Sequence, residues 1–390
     1  MKKNYNDFYL LAVVFVLLFV AYQTILQVVP ADYNDIHDHA AFARQMLQGQ
    51  QPYAGNFLVY LLVNIFSFFS TKAVPTEIAL CMLIAFATTF RFRLAQERIN
   101  HLIYHDSTNE PNYFTGVFYA LTLLFVFGIP IPGYLSDDKF MYIGNYVPNV
   151  WHNSTILFLF PFAMLLFELS YKQLHAYTSK RNWWITLLVT LNLFIKPSYF
   201  FVFVCVYPLL LLVKYKFNKK FWYSILPLVV GIFFLALEYW VIYKMSIPAG
   251  KEASSVIFMP FYRNPEFANL SLIPVAMFFS LLFPIIYSVF NLSKLRKSML
   301  FWYCVIQFVV SVLIFFFISE SGPRASHGNF YWQIVICTWL SFFVAFLALL
   351  KDFKTDGRTN KNIFLLSIYM LHFVVGVLYF IRLILTGGYY

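Results

Sequence analysis

The chain has 390 residues, of which 61% are hydrophobic, 22% aromatic and only 12% charged, with a mean hydropathy of +0.69. No soluble globular domain needs so much apolar surface, so the composition describes a polytopic membrane protein. The formal net charge of +11 has no soluble basic face to sit on, so nucleic-acid binding is excluded and the charge is read as a report of topology.

In chain order the apolar runs are 8–29, 75–92, 113–133, 154–171, 183–196, 198–213, 222–243, 269–292, 299–318, 330–350 and 362–386. The first follows Lys2 and Lys3 and is too long, with no small-residue cleavage site, to be a removed signal peptide. A further run at 56–70 decides the parity of everything after it. Read as a re-entrant or interfacial helix, it leaves 19 of the 28 lysines and arginines on one side, in clusters at 2–3, 91–98, 172–181, 214–220, 294–297 and 351–361. The positive-inside rule makes that side cytoplasmic. The expected fold is therefore an all-α polytopic membrane protein of about eleven transmembrane helices. Residues 1–390 form a single transmembrane domain with no separate soluble domain, and juxtamembrane helices lie in a first extracytoplasmic loop, 30–74. Cys81, Cys205, Cys304 and Cys337 all lie in apolar runs without CxxC spacing and read as small buried hydrophobes.

The polar residues sort by this topology. In 31–55, the most polar stretch of the first hundred residues, Asn34 or Asp32 is placed to cap a short helix that Gly49 ends. Asp35, Asp38 and His39 then share one helical face at i, i+3 and i+4, with His37 between them. Such a face can handle protons, bind a divalent cation, or be a solvated amphipathic surface. Further along, Trp151, His152 and Asn153 stand at a span entrance, and Asp137, Asp138 and Lys139 lie in the loop before it. Lys196 interrupts an apolar run beside Pro197. A charge at that depth costs about 2.5–3.5 kcal/mol, so it requires a wet cavity or an anion unless it snorkels from a span end. Tyr262 and Arg263 follow the seventh run. The turn 320–328 carries Glu320, Arg324 and His327, and an arginine fork suits a phosphate unless Glu320 takes it across the turn. Glu168 pairs with Lys172 at i+4, and Glu238, near the outer end of its span, is open to a cavity role, although a structural hydrogen bond is the simpler account. No metal-binding motif is complete.

The spacing Asp35-x3-His39-x3-Ala43-x3-Leu47-x-Gly49-x2-Pro52-Tyr53 follows a first span and precedes a short apolar piece and a second span ending in arginine. Over about Tyr9 to Arg93 this resembles the GT-C-fold integral membrane glycosyltransferases, although that family often has an aromatic residue where this chain has His39. The resemblance implies a transfer from a polyprenyl-phosphate sugar to an extracytoplasmic glycan or lipid acceptor, with inversion. Asp35 would be the catalytic base and Asp38 the second candidate. Lys196, Arg324 and Arg263 would hold the donor phosphate. His37, His39, Trp151, His152, Asn153, Tyr262, Glu320 and His327 would contact substrate. No cofactor is required, although a divalent cation has a place at Asp35, His37 and Asp38. The protein would sit in a bacterial plasma membrane with its site facing outward. The absence of a glycine-rich phosphate loop argues against a nucleotide-sugar donor. A lipid-linked saccharide flippase or transporter, or a polysaccharide polymerase, is the alternative; a transporter predicts inverted repeats, and none is visible.

Overall fold

A computed structural model describes residues 2–30, 34–51, 55–104, 113–131, 145–245, 254–262 and 272–388. The helices are α1 (Lys2–Val28), α2 (Asp35–Leu47), α3 (Leu58–Phe66), α4 (Ala73–Tyr104), α5 (Tyr113–Phe125), α6 (Ser154–His175), α7 (Ser179–Ile195), α8 (Ser198–Tyr215), α9 (Lys219–Trp240), α10 (Ile273–Ser280), α11 (Leu282–Phe290), α12 (Met299–Phe317), α13 (Trp332–Asp356) and α14 (Asn360–Thr386). Among the described residues, eight are long and apolar enough to cross a membrane: α1, α4, α6, α8, α9 and α12 to α14. The pair α10–α11, bent by 73° at Leu281, is either a broken ninth span or a re-entrant loop. The protein is thus a helical multi-pass membrane protein. Ten of the eleven apolar runs each meet one of these helices, α5 and α7 being shorter than the eight, and the run 269–292 is divided between α10 and α11.

Local chemistry sets the helix starts. Asn153, Thr178, Asn218, Ser298 and Thr359 each accept a backbone N–H of their own first turn, beginning α6, α7, α9, α12 and α14. The nine residues of α3 rise roughly 14 Å, about half of a ~30 Å hydrocarbon core. It packs on α2 and α4 and cannot be a crossing.

α6 and α13 form the centre of the bundle, while α1, α9 and α14 are peripheral. One end is held by polar contacts between the basic clusters. Arg98 donates to both oxygens of Glu168 at 2.7–2.9 Å, while Lys172, the partner expected from spacing, stands 4.0 Å away. Tyr215 donates to Gln173 O at 2.6 Å, and Asp352 accepts from Tyr287 at 2.8 Å and pairs with Lys294. Cys205 is exposed on the outside of α8, whereas the other three cysteines are buried.

Two features depart from a plain helical reading. β1 (Ser255–Phe258) pairs antiparallel with β2 (Ile318–Ser321), Val256 opposite Glu320, so the all-α expectation misses a two-stranded ribbon that continues from the end of α12. The break between α10 and α11 is met by His372 of α14. Its Nε2 accepts the Phe283 N–H at 3.2 Å, and its Nδ1 lies 2.6 Å from Phe127 O. Just beyond, Gly376 admits the Phe125 carbonyl where any Cβ would clash at 1.5 Å.

Candidate active site

At the end of the bundle opposite the Arg98–Glu168 contacts, helix ends and the ribbon enclose a cavity of about 620 Å³. Its walls come from seven separate segments: α2, the segment around Asn56 and Tyr60, the start of α6, the α7–α8 turn, the end of α9, the ribbon, and 320–330.

The first wall is α2. The Asn34 carboxamide accepts Ile36 N at 3.1 Å and donates to the Ile25 and Leu26 carbonyls, fixing α2 to the end of α1. Gly49, at φ +71°, stands just past its C-terminus. Ile36, Ala40, Ala43 and Met46 are buried, which orients the rest. The shared face expected for Asp35, Asp38 and His39 is split, because adjacent residues on a helix point ~100° apart. His39 turns into the cavity and Asp38 is exposed. His37 turns away to Glu77 of α4, at 2.9 Å. Asp35 stands one layer behind the lining, its Oδ2 accepting from Asn153 Nδ2 at 2.9 Å.

From Asn153 a polar chain runs into the cavity. Its Oδ1 caps α6 at Ile156 N and accepts the Thr155 hydroxyl at 3.0 Å. Thr155 Oγ1 in turn accepts Lys196 Nζ at 3.1 Å. Lys196 occupies the turn that ends α7, its N–H bonded to Asn192 O, and Pro197 then starts α8 in a new direction. The ammonium is 7% exposed and lies 5.3 Å from the Trp332 ring centre. Burial, partly opposed by the charge of Asp35, pulls it down to about 8. Among the described residues no carboxylate forms an ion pair with it.

Arg324 enters from the 3₁₀ turn Gly322–His327, with its backbone N–H on Ser254 Oγ at 3.2 Å. Its Nε donates to Glu320 Oε1 at 2.8 Å, the cross-turn pair the spacing allows. The buried Glu320 also accepts from Asn329 at 2.7 Å and from the Tyr243 hydroxyl. Arg324 is thus gripped at Nε by Glu320, lies 5.7 Å from the Tyr243 ring centre and is also hydrogen-bonded to Tyr243. Lys196 and Arg324, far apart in sequence, therefore line one cavity.

Two groups on the lining were not among the expected site residues. Glu238, 6% exposed near the end of α9, faces the cavity and makes no hydrogen bond among the described residues, so the structural bond expected of it is not there. Tyr60 on α3 lies 2.8 Å from His39 Nδ1. Burial raises the Tyr60 hydroxyl above its ordinary range and pulls His39 down to about 4. At neutral pH both are uncharged, and the pair can pass a hydrogen bond but not a full charge. Phe42, Phe201, Phe330 and Tyr239 supply flat apolar walls.

The remaining expected residues lie elsewhere. Trp151 packs among Phe380, Phe125 and Tyr22, with ring centres 4.6–6.1 Å apart, inside the bundle and off the lining. His152 is buried against Trp332, and burial lowers its imidazole below the usual range. Tyr262 is exposed beyond the ribbon. Arg263, Asp137, Asp138 and Lys139 lie outside the described residues, as does the side chain of His327. Among the described residues no three histidine, cysteine or acidic side chains converge as a metal site. The proposed cation ligands diverge, His37 to Glu77 and Asp38 outward.

Neither a protein-family model nor a curated protein sequence matches this chain.

Proposed function

We propose that this protein is an inverting, GT-C-type glycosyltransferase that moves a sugar from a polyprenyl phosphate to a glycan or lipid acceptor. The supporting observation is that Lys196 and Arg324 line one cavity beside aromatic walls, with carboxylates at its edge. Such a cavity suits a phosphate attached to a sugar and a long apolar chain: cations for the anion, flat rings for the sugar, and a membrane around the prenyl tail. We read the fold as eleven crossings, α5 and α7 included, with the cavity outward. On that reading the basic clusters lie at the cytoplasmic end, as the positive-inside rule requires.

In the transfer, the acceptor hydroxyl attacks the anomeric carbon while the bond to the phosphate oxygen breaks. The polyprenyl phosphate departs with the extra negative charge. Lys196 and Arg324 stabilise that charge in a site largely screened from water, where such terms are worth most. Asp35, aimed by Asn153, takes the acceptor proton. Glu238, already on the lining, is the rival base.

The test is direct. Purified protein in nanodiscs, given polyprenyl-phosphate sugars and a lipid-linked glycan acceptor, should form a glycosidic product whose anomeric configuration is inverted relative to the donor. Movement of a lipid-linked saccharide between leaflets with no new glycosidic bond would identify a flippase instead.

A further inference from the structure

We propose that the tip of α3, Phe66 to Phe69, is a lipid-inserting finger that anchors the α2–α3 layer in the outer boundary of the bilayer and thereby sets the position of the cavity wall. The inference rests on the chain spanning a membrane with its basic clusters cytoplasmic; it does not depend on the transferase reading.

Exposure is the first observation. Ile65 and Phe66 are 44% and 53% exposed, Phe69 is 59% exposed, and Phe68 is 91% exposed. The backbone is the second. Phe68 and Phe69 stand consecutively at φ +54° and +55°, a left-handed region that side chains with a Cβ rarely occupy and that glycine ordinarily fills. The turn is nonetheless closely bonded: Phe68 N–H donates to Ile65 O at 3.0 Å, Phe69 N–H to Asn64 O at 2.7 Å and Ser67 Oγ to Asn64 O at 3.2 Å. A sequence that spends backbone strain to hold two phenylalanines outward has a use for their rings.

What covers the finger follows from its continuation along the chain. α4 begins at Ala73, and Val74, Ile78, Met82 and Phe86 are all exposed at a spacing of four, a stripe on the outside of a crossing helix. That stripe faces lipid. From Val74 to Arg93 at the basic end, the helix rises roughly 28 Å, close to the ~30 Å of a hydrocarbon core. Val74 is therefore at one boundary of the core, and the finger, ending five residues earlier at Phe69, sits at the same level. Lys72 beside it is exposed, placing a cation at headgroup depth. The occupant is thus bilayer lipid, with acyl chains against the rings and headgroup phosphate near Lys72.

The finger is mechanically joined to the site. Asn64, one turn before it, donates to Ala43 O of α2 at 3.1 Å. Tyr60, a further turn back, meets His39 in the cavity. Lipid contact at the tip therefore holds α3, and through it α2, at a fixed depth.

The experiment uses the full chain in liposomes with Cys205→Ser, which removes the exposed native thiol. A nitroxide at Phe68→Cys should collide with dissolved oxygen several-fold more often than with a water-soluble nickel chelate. The double variant Phe68→Gly, Phe69→Gly removes the rings and relieves the strain together. Its thermal midpoint in detergent should be unchanged or higher, while a nitroxide at Gln48→Cys, at the end of α2, should become more mobile in liposomes. A nickel-accessible label at Phe68 overturns the proposal. So does spin–spin broadening that shows a second copy on the finger, or an unaltered Gln48 signal in the double variant.

Discussion

Replacing Lys196 by methionine keeps the length of the side chain and deletes its charge, and the structure assigns opposite signs to the two consequences. Burial holds the ammonium down from 10.5 to about 8, which corresponds to about 3 kcal/mol of lost preference for the charged form at ~1.36 kcal/mol per pKa unit. The protein carries that cost, and among the described residues the polar contact to Nζ is the Thr155 hydroxyl. Methionine removes the cost and keeps the packing against Trp332, so the variant should unfold at the same temperature as the parent or higher. A bound phosphate returns the ammonium to its ordinary range and recovers about the same 3 kcal/mol, which at ~1.4 kcal/mol per tenfold is about 10² in affinity. Polyprenyl-phosphate binding in nanodiscs, measured beside thermal unfolding in detergent, should therefore show about 10²-fold weaker binding without loss of stability. Lower stability with unaltered binding would refute the reasoning and make Lys196 a structural residue.

The same ammonium sets a pH dependence: donor affinity should fall as pH rises through about 8, because the anion binds the protonated lysine. Stability should run the other way between about 8 and 10.5, where the unfolded chain binds the extra proton. His39, at about 4 when folded, should cost stability as pH falls below about 6.5, seen as a declining thermal midpoint. Asp35→Asn should lower transfer ~10²–10⁴-fold while leaving lipid-phosphate binding nearly intact; if Glu238→Gln shows that loss and Asp35→Asn does not, the base belongs on α9. Arg98→Ala strands the mostly buried Glu168 carboxylate and should destabilise the fold by about 1–3 kcal/mol in chemical denaturation. A membrane-impermeant thiol reagent applied to intact cells should label Ser254→Cys and spare Lys180→Cys; the reverse pattern inverts the topology.

Much of the site could be read from isolated anomalies in the sequence. Lys196 stands out because an apolar run has no other reason to hold a charge, and Arg324 with Glu320 stands out because a Gly-Pro turn sets their spacing. The cap at Asn34 and the end of α2 near Gly49 follow from local rules that need no tertiary knowledge. Other elements depend on partners far along the chain. β1 and β2 are four residues each and pair across some 60 positions, too short to show an alternating pattern. Glu238 resembles any acid near a span end until the residues around it prove to offer no donor. Trp151, at a span entrance beside His152 and Asn153, reads as a ligand contact, yet Phe380 from α14 closes over it. Periodicity reports which face of a helix is apolar. It does not say whether that face meets lipid or another helix.

The bend between α10 and α11 carries a consequence for how the chain is made. The Phe283 N–H at that bend is satisfied by His372, 89 residues later. At ~5–20 residues per second, the acceptor emerges from the ribosome about 4–18 s after its donor. During that interval α10 and α11 are already synthesised but lack one of the contacts that close them. Final closure then occurs when α14 docks and His372 bridges Phe283 to Phe127. A chain halted before residue 372 would present a polar gap to lipid, and the state of that gap distinguishes a finished molecule from a nascent one.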